Sequence, residues 1–363
     1  MLTIKAGPLT ELVRHVFVKA GCSAAEAQRI SKYLVSANLT GHDSHGVARV
    51  PRYISWQREG VVHADRKVNV MIDTPVLALV DGRNGFGQTV APQAVAIGIE
   101  KCRAMGLSMV ALKNAGHIGR VGDWAEMAAE AGLVSVHFVN ASGSVLVAPF
   151  GGTERRLSTA PFCVGVPRAG EPPIVLDFAT SVVAEGKVLV ASQGGKKLPE
   201  NALINVDGTM STDPRVLYGD YGSTGLRRAG NGKGAIRAFG DHKGSGLALM
   251  CELLGGSLTG MKATGEGGKF GGNGMLSFYV NPAVIDPEGL FPADVARYVA
   301  YFKSAKPITP GGEVLTPGEP EHRTRQERLA DGVPLPDEIW AAIVATAREV
   351  GVDERHIQQT PAG

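Results

Sequence analysis

Glycine is unusually common in this chain and sets the strongest limit on its fold. The 363 residues include 48 glycines, a share of about 13% where about 7% is usual. These glycines follow no fixed period, which excludes collagen-like and repeat architectures. Because glycine adopts backbone conformations closed to other residues, the sequence predicts many tight turns and many close approaches of the backbone to a ligand or to another segment.

The length and the remaining composition predict a globular protein of about two domain-sized units. Hydrophobic residues make up 44% and charged residues 20%, which excludes a disordered chain. The 37 basic and 35 acidic side chains nearly balance, so charge predicts neither a nucleic-acid partner nor a membrane surface. The sequence shows no signal peptide, no long apolar stretch and no CxxC pair, so we expect a cytoplasmic protein with reduced, buried thiols.

The hydrophobic periodicity of the first 140 residues alternates between helices and strands. Ser23 and Glu26 have the spacing of a capping box, before a helix that Gly41 ends. A strand-like stretch at 68–80 leads into an Asp-Gly pair that predicts a hairpin turn. Residues 107–140 predict a strand, a helix and a second strand, which together have the length of one crossover unit.

The rest of the chain predicts short strands followed by helices. The middle contains short buried strands separated by turns, with a mobile loop predicted at 222–234. A helix is predicted from Lys243 and ends at Gly255 and Gly256, and a strand follows it. The tail returns to helices, so the sequence predicts a mixed α/β fold without a clear linker.

A GxGxxA pattern at 230–235 has the letters of the dinucleotide-binding fingerprint. Binding of the phosphates requires a strand before the glycines and a helix after them. Neither flank fits that requirement, so the pattern does not predict a Rossmann domain. No phosphate-binding P-loop motif occurs in the sequence either.

The densest chemistry follows the helix that Gly41 ends. The side chains of His42, Asp43, Ser44, His45 and Arg49 fall within eight residues. An imidazole can transfer a proton near neutral pH, and a guanidinium can hold a carboxylate through two hydrogen bonds. The alternative is a polar turn whose aspartate and serine cap the next helix.

Three further segments are candidates for ligand contacts. His117 lies where a predicted strand ends, with a structural histidine as the alternative. Residues 177–181 end a buried strand with small and hydroxyl side chains, which could bind a nucleotide or could close a local turn. Lys243 opens a helix whose amides suit a phosphate or carboxylate, whereas Asp241 could serve only as its cap.

Taken together, these segments resemble the malate/L-lactate dehydrogenase family, also called type 2 malate/lactate or sulfolactate dehydrogenases. The resemblance extends from about residue 5 to the end of the chain. Six motifs carry it, in order: TGHDSHGVARVPRYI, NAGHIGRVGDWAE, VAPFGGTERRLSTAPF, VLDFATSVVAEGKV, INVDGTMSTDP and GDHKGSGLALMCELLGGSLTG. The segments HIGRVGDWAE, VSVHFVN and APFCV are most similar to the hydroxycarboxylate dehydrogenase B branch.

The resemblance implies an NAD- or NADP-dependent oxidoreductase that acts as a homodimer on a small 2-oxo or 2-hydroxy acid, or on a cyclic imino acid in one branch. It implies a non-Rossmann NAD(P)-binding domain with a largely antiparallel sheet, packed against a helical N- and C-terminal part. We therefore predict one unit over 1–363. Its helical part comprises about 1–75 and about 290–363, and its cofactor and substrate part about 76–289.

Carried over by position, His45 and Ser44 match the family's catalytic pair, and Arg49 matches the residue that holds the substrate carboxylate. His117 matches a second acid/base candidate and a cofactor contact; we favour His45 as the proton donor, with His117 as its competitor. No metal is implied. The other cofactor-binding residues that the resemblance implies are Asp177, Phe178, Ala179, Thr180, Ser181, His242, Lys243, Gly318 and Glu319.

The chain departs from the family at 159–161, where Thr-Ala-Pro replaces the common Thr-Asn-Pro. The side-chain amide is missing there, which bears on the identity of the substrate. By charge alone, Arg155, Arg156 and Lys187 are candidates to bind the 2′-phosphate of NADP.

Two other classes of function remain open. The first is a metal-dependent lyase or hydrolase, with four candidate ligands: His42, Asp43, His45 and His242. The second is a binding or assembly protein without catalysis. The glycine-rich stretches 230–234 and 265–274 match no motif and could cover a site or form a subunit contact.

Overall fold

A computed structural model of the chain describes residues 2–192, 197–221, 229–265 and 271–358. Over these residues the helices are α1 (Ala6–Lys19), α2 (Ala24–Leu39), α3 (Val50–Arg58), α4 (Gly87–Met105), α5 (Gly122–Glu130), α6 (Glu185–Ser192), α7 (Arg215–Tyr218), α8 (His242–Cys251), α9 (Pro282–Ile285), α10 (Phe291–Lys303), α11 (Glu319–Asp331), α12 (Asp337–Glu349) and α13 (Glu354–Gln358). The strands are β1 (Leu2–Ile4), β2 (Asn69–Asp73), β3 (Leu77–Gly85), β4 (Leu107–Ala115), β5 (Val134–Ser142), β6 (Val147–Ala148), β7 (Pro161–Val166), β8 (Ile174–Ala179), β9 (Leu203–Ile204), β10 (Met210–Ser211), β11 (Ala235–Arg237), β12 (Gly272–Val280) and β13 (Val333–Leu335). In this part of the chain no helix is long and apolar enough to cross a membrane.

The largest sheet has seven strands in the order β2-β3-β4-β12-β5-β7-β8. Only β3 and β4 pair in parallel, and every other neighbouring pair in this sheet is antiparallel. The prediction of a mixed α/β fold with a largely antiparallel sheet is confirmed. A four-stranded sheet, β10-β9-β11-β6, lies apart from it, and β1 pairs with β13 to join the two ends of the chain.

The predicted strand–helix–strand unit is present as β4, α5 and β5. However, β4 and β5 are not neighbours, because β12 lies between them and runs antiparallel to both. Seven of the nine β12 residues are buried, and only Phe278 and Val280 are partly exposed. This central position makes β12 the strand around which the two halves of the sheet are assembled.

Buried hydrophobic side chains form two main cores. One joins α1–α3 to the C-terminal helices and includes Phe17, Tyr53 and Ile343. The other lies between α4, α5 and the large sheet and includes Trp124 and Tyr279. The division of the chain into a helical part and a cofactor part stays a prediction.

Two predicted ends of elements are wrong. Asp81 and Gly82 lie inside β3, and the hairpin turn comes earlier, where the Leu77 amide donates to the Thr74 hydroxyl at 2.9 Å. The helix predicted to end at Gly255 and Gly256 continues as a π-helical turn to Leu258. A Cβ on Gly255 would stand 2.7 Å from the carbonyl oxygen of Phe138 in β5. This glycine therefore permits close packing on the sheet.

The predicted capping box is half present. The Ser23 hydroxyl accepts from the Glu26 amide at 3.2 Å. The Glu26 carboxylate does not return to Ser23; it accepts from the Asp65 amide at 2.5 Å. Most of the mobile loop predicted at 222–234 lies outside the described residues.

Candidate active site

The segment between α2 and α3 forms two short 3₁₀ turns, and Asn38 holds them in place. Its Oδ1 accepts from the Val47 amide at 2.8 Å, and its Nδ2 donates to Asp43 at 2.6 Å. Gly46 packs against the same amide, since a Cβ there would stand 2.1 Å from the Asn38 oxygen. The turn is thus fixed by one buried side chain and one obligatory glycine.

Asp43 is a structural residue of this turn. Arg328 of α11 donates to both of its carboxylate oxygens, at 2.7 and 3.1 Å. The alternative prediction, that Asp43 and Ser44 cap the next helix, is wrong, because α3 begins at Val50 without a side-chain cap. Because Arg328 binds both of its oxygens, the Asp43 carboxylate is not available to His42 or His45.

Ser44, His45 and Arg49 lie together as the sequence predicts. The Ser44 hydroxyl is 3.1 Å from Nδ1 of His45. The Nε of Arg49 donates to the Ser44 carbonyl at 2.6 Å, and the described residues provide no other hydrogen-bond partner for this guanidinium. Gly186 of α6 packs on the serine, since a Cβ there would be 2.6 Å from its Cβ.

His117, which lies between β4 and α5, joins this group from the large sheet. Its ring stacks on that of His45, with 5.5 Å between the centroids and 10° between the planes. The Tyr53 hydroxyl lies 2.6 Å from Nδ1 of His117, and the Gln88 amide donates to the same hydroxyl at 2.9 Å. The sequence reasoning missed both residues, although the tyrosine belongs to the motif that contains His45.

The contacts of Tyr53 determine which nitrogen of His117 remains available to a ligand. Tyr53 and Gln88 are 2% and 1% exposed, so their polar groups need partners within the protein. The phenol oxygen accepts from Gln88, and the same hydroxyl contacts Nδ1 of His117 at 2.6 Å and the His117 carbonyl at 3.4 Å. Nδ1 is thus engaged within the protein, which leaves Nε2 of His117 for a ligand.

Both imidazoles are hard to protonate in the free protein. Burial lowers the pKa of His45 to about 3, and the positive charge of Arg49 contributes to this shift. Burial and Arg49 likewise hold the pKa of His117 well below its usual range. Burial raises the pKa of Tyr53 to about 12, so the phenol keeps its proton.

The segment after His117 is tied to β8 and to a buried ion cluster. The Asp177 carboxylate accepts from the Gly122 amide at 2.7 Å. Arg120, which is 2% exposed, pairs with Asp123 at 3.0 Å and with Glu126 at 2.8 Å. Burial alone would lower the pKa of Arg120, but these two carboxylates raise it. The guanidinium therefore stays charged and holds the start of α5.

The hydroxyls at the end of β8 are bound to backbone carbonyls. Thr180 donates to Ala160 at 2.7 Å, and Ser181 donates to Val183 at 2.9 Å. Both residues are buried, whereas Ala179 is partly exposed. The two hydroxyls therefore fix the backbone at the strand end, and Ala179 is the residue there that a ligand can reach.

The predicted phosphate contacts at the start of α8 lie beside this strand end. The Phe178 ring meets that of Phe239 edge-on, with 5.2 Å between the centroids. His242 and Lys243 are exposed in the first turn of α8. Asp241 occupies the cap position, but its side chain forms no capping bond. The amides of Lys243 and Gly244 already donate to the carbonyls of Gly240 and Phe239, at 3.2 and 3.0 Å. What this turn presents to an anion is therefore the exposed side chains of His242 and Lys243.

Gly318 and Glu319 lie where α11 begins, beside the first residues of β8. A Cβ on Gly318 would stand 3.1 Å from the Val175 amide. The Glu319 carboxylate accepts from Lys303 at 2.5 Å and from Arg323 at 2.8 Å. Burial alone would raise the pKa of Glu319, but these bonds lower it to about 2. A ligand there would meet a carboxylate that already has partners.

Arg155 is excluded as a contact for the 2′-phosphate of NADP. Its nitrogens donate to four backbone carbonyls, those of Leu217, Ala229, Gly232 and Gly234. This guanidinium therefore fixes the glycine-rich stretch 230–234 on the protein. Arg156 is exposed and pairs with Glu154, and Lys187 is exposed near the start of α6.

The second glycine-rich stretch, 265–274, is only partly described, because 266–270 lie outside the described residues. Its last residues, from Gly272 to Gly274, belong to the buried strand β12. A Cβ on Gly274 would stand 2.1 Å from the Gly255 carbonyl, so this end of the stretch packs tightly inside the protein.

The described residues give no support to a metal-dependent enzyme. They contain no group of three histidine, cysteine, aspartate or glutamate side chains close enough to share an ion. His42 lies 3.4 Å from Glu321 of α11, and Asp43 is bound by Arg328. Two of the four side chains predicted as ligands, His42 and Asp43, thus have other partners.

The chain matches the malate/L-lactate dehydrogenase family over residues 4–344. It belongs to this family. Hydroxycarboxylate dehydrogenase B of Escherichia coli O157:H7 is 37% identical, over 97% of this chain and 96% of the relative. A Δ1-pyrroline-2-carboxylate/Δ1-piperideine-2-carboxylate reductase of Pseudomonas putida is 31% identical, over 93% and 95%. The resemblance found in the sequence is confirmed.

The fold agrees with this assignment. A solved malate/lactate dehydrogenase-like protein from E. coli superimposes with a TM-score of 0.91 at 36% identity, over 99% of each chain. Malate dehydrogenase from Pyrococcus horikoshii gives a TM-score of 0.84 at 28% identity, over 97% of this chain and 96% of the other. The protein is therefore an oxidoreductase of a family of hydroxy acid dehydrogenases.

Proposed function

We propose that this family member interconverts a 2-oxo acid and a 2-hydroxy acid by hydride transfer with NAD or NADP. The observation that carries the proposal is the stacked pair of His45 and His117 beside Arg49, two proton-transfer groups next to one anion-binding group. The relatives named as dehydrogenases of hydroxycarboxylates, lactate and malate support the substrate class.

In this proposal Arg49 holds the substrate carboxylate. Its Nε is bound to the Ser44 carbonyl at 2.6 Å, which leaves the two terminal nitrogens for a bidentate contact. Such a contact fixes the carbonyl carbon next to the carboxylate and so decides which face accepts the hydride. Lysine at this position would supply a charge without the fork.

The imidazole pair supplies the proton to the carbonyl oxygen. The Tyr53 bond favours His117 as the donor, because it engages Nδ1 and leaves Nε2 of the protonated ring available for donation, while Ser44 orients His45 beside it. A bound carboxylate would neutralise the charge of Arg49 and thereby raise the pKa of both rings. Proton donation is then coupled to occupancy by the anionic substrate.

The residues at the ends of β8 and α8 fit a nicotinamide dinucleotide. The exposed side chains of His242 and Lys243 at the start of α8 have the donors that a pyrophosphate requires. Thr180 and Ser181 fix the strand end through their bonds to backbone carbonyls, and Asp177 fixes it through Gly122, so the dinucleotide would lie against a rigid backbone. When bound, the nicotinamide supplies or accepts the hydride.

A second candidate within the family is reduction of a cyclic imino acid. The Pseudomonas putida relative is named for this reaction, and such a substrate also carries a carboxylate beside the reducible carbon. Ala160, which replaces the usual family asparagine, is fully buried, and its carbonyl accepts from Thr180. Because Ala160 has no side-chain amide, other side chains must distinguish between the two classes of substrate.

The test is oxidation of NADH and of NADPH against a panel of 2-oxo acids and cyclic imino acids, with a chelator present. We expect turnover of at least one 2-oxo acid. In His117→Gln we expect kcat to fall by about 10²–10⁴-fold, as is usual for loss of a general acid, with a smaller loss in His45→Gln.

A larger loss in His45→Gln would transfer the donor role to that residue. Turnover of imino acids alone would favour the second candidate. If every combination stays silent in a folded protein, the proposed function fails and a binding protein becomes the better explanation.

A further inference from the structure

A second cleft, of about 500 Å³, lies between α2, the loop before β2 and the first half of α4. Neither His45 nor His117 lines it. Three cationic side chains do: Arg29, Arg66 and Lys67. Its volume falls within the range of about 300–1,000 Å³ that small-molecule sites have.

The cations of this cleft lack partners within the protein. Across the described ranges, none of the three pairs with an acidic side chain. The Nε atoms of Arg29 and Arg66 are buried without a hydrogen-bond partner, and so is the hydroxyl of Thr89, which is 2% exposed. Because unpaired buried polar atoms are unfavourable, these groups are suited to bind a ligand.

The charge of the cleft matches a dianion. Asp65 also lines it, and its carboxylate accepts from the amide of Ser23 at 2.9 Å and from the Ser23 hydroxyl. Three cations and one carboxylate leave a net charge of +2. Glu26 lies beneath, fully buried, and does not line the cleft.

The walls of the cleft are held in place before any ligand arrives. Gln93 of α4 accepts from the Val68 amide at 3.2 Å and donates to the Thr89 carbonyl at 2.8 Å, so it fixes the loop to the helix. A Cβ on Gly85 would stand 2.7 Å from that of Arg66. The Gly85 carbonyl in turn accepts from the Gly116 amide at 2.8 Å, one residue before His117.

We propose that this cleft binds a small phosphate-bearing anion at a site separate from the imidazole pair. The forked guanidinium groups of Arg29 and Arg66 match phosphate oxygens in geometry and charge. Lys67 adds a third cation at the rim, and the Thr89 hydroxyl donates from the floor. The anion is either free inorganic phosphate or the phosphate of a larger metabolite. This inference does not depend on the proposed hydride transfer.

The test uses the full-length protein, titrated with inorganic phosphate and with ribose 5-phosphate at constant ionic strength. Thermal unfolding and calorimetry report binding without an activity assay. We expect a saturable rise in Tm, because a ligand that binds only the folded state stabilises it. Arg29→Gln and Arg66→Gln should each weaken the affinity by about tenfold or more. Arg103→Gln, the same charge change at the far end of α4, should leave the affinity unchanged.

Thr89→Val keeps the size of the side chain and removes the hydroxyl, so it decides the matter if the arginine variants do not fold. It should weaken phosphate binding with little change in Tm of the free protein. Tighter binding of ribose 5-phosphate than of phosphate would indicate a metabolite, and equal binding the free ion.

Several results would overturn the proposal. One is a Tm that phosphate raises no more than chloride does, and another is equal affinity in Arg66→Gln, Thr89→Val and Arg103→Gln. Displacement of phosphate by NADH or NADPH would assign the cleft to the cofactor. A changed oligomeric state in Arg66→Gln would assign it to a subunit contact.

Discussion

Tyr53 links two parts of the protein that the sequence keeps apart. It packs in the core of the N- and C-terminal helices, and its hydroxyl reaches His117 at the edge of the large sheet. Gln88 completes the link from the first turn of α4. The orientation of the second imidazole is thus determined by side chains whose importance becomes visible only in three dimensions.

Tyr53→Phe should lower kcat by about tenfold with little change in KM, because His117 would lose the bond that orients its ring while Arg49 still binds the substrate. We expect the free energy of unfolding to fall by about 1–2 kcal/mol, since the buried amide of Gln88 loses its acceptor. Steady-state kinetics and denaturant unfolding measure the two effects. Tyr33→Phe serves as the control, and equal kinetics in both variants would contradict the role of Tyr53.

The pH dependence of reduction should differ between kcat and kcat/KM. The value of kcat/KM reports the free enzyme, in which burial and Arg49 hold the pKa of the donor His117 well below its usual range. The value of kcat reports the substrate complex. The protonated imidazole is required for reduction, so both quantities fall as pH rises through the relevant pKa. Because the bound carboxylate raises that pKa, the decrease in kcat should occur at a higher pH than the decrease in kcat/KM. Superimposable profiles would contradict the coupling.

At the scale of elements, α11 holds the turn that carries Ser44, His45 and Arg49. Arg328 of this helix binds both oxygens of Asp43 and also donates to the carbonyl of Asn38. A helix near the C-terminus therefore positions a site near the N-terminus. Arg328 therefore positions the turn, whereas Ser44, His45 and Arg49 are the residues proposed to contact the substrate or move the proton.

Arg328→Gln should raise KM and lower the free energy of unfolding by about 1–2 kcal/mol, because the ion pair with the half-exposed Asp43 and the hydrogen bond to the Asn38 carbonyl are both lost. Arg323→Gln, on the same helix, breaks exposed pairs with Glu313 and Glu319 and should cost less than about 1 kcal/mol. Chemical denaturation and KM measurements compare the variants. Equal destabilisation by the two changes would show that the Asp43 pair is no stronger than a surface pair.

Local sequence signals predicted much of this fold. Apolar residues at helical spacing over 89–105 predict a helix that ends at Gly106. The helix α4 ends there, and Gly106 adopts a left-handed conformation with φ of +82°. The position of β12 between β4 and β5 could not be predicted, since strand pairing depends on contacts between distant residues. The cluster of Ser44, His45 and Arg49 could be predicted because the three residues lie in one segment. The roles of Tyr53 and Arg328 could not be predicted, because they depend on contacts with distant residues.

For the whole molecule, the exposed apolar surface supports the predicted homodimer. Tyr298, Tyr301 and Phe302 lie on one face of α10 and are 57%, 70% and 43% exposed. Apolar groups so placed usually belong to an interface. We expect sedimentation to give twice the 38.0 kDa of the chain. Tyr301→Lys should weaken the dimer and Arg297→Gln should not; a monomeric parent protein would contradict this prediction.

The central place of β12 has a consequence for synthesis of the chain. Its neighbours β4 and β5 leave the ribosome first, and each must wait for a partner strand that begins only at Gly272. At translation rates of about 5–20 residues per second, the delay is on the order of ten seconds. During that interval two apolar strands present unpaired edges, a state that favours aggregation and recruits chaperones. The yield of native protein should therefore depend strongly on chaperone supply and on temperature during expression, even when the folded protein is stable.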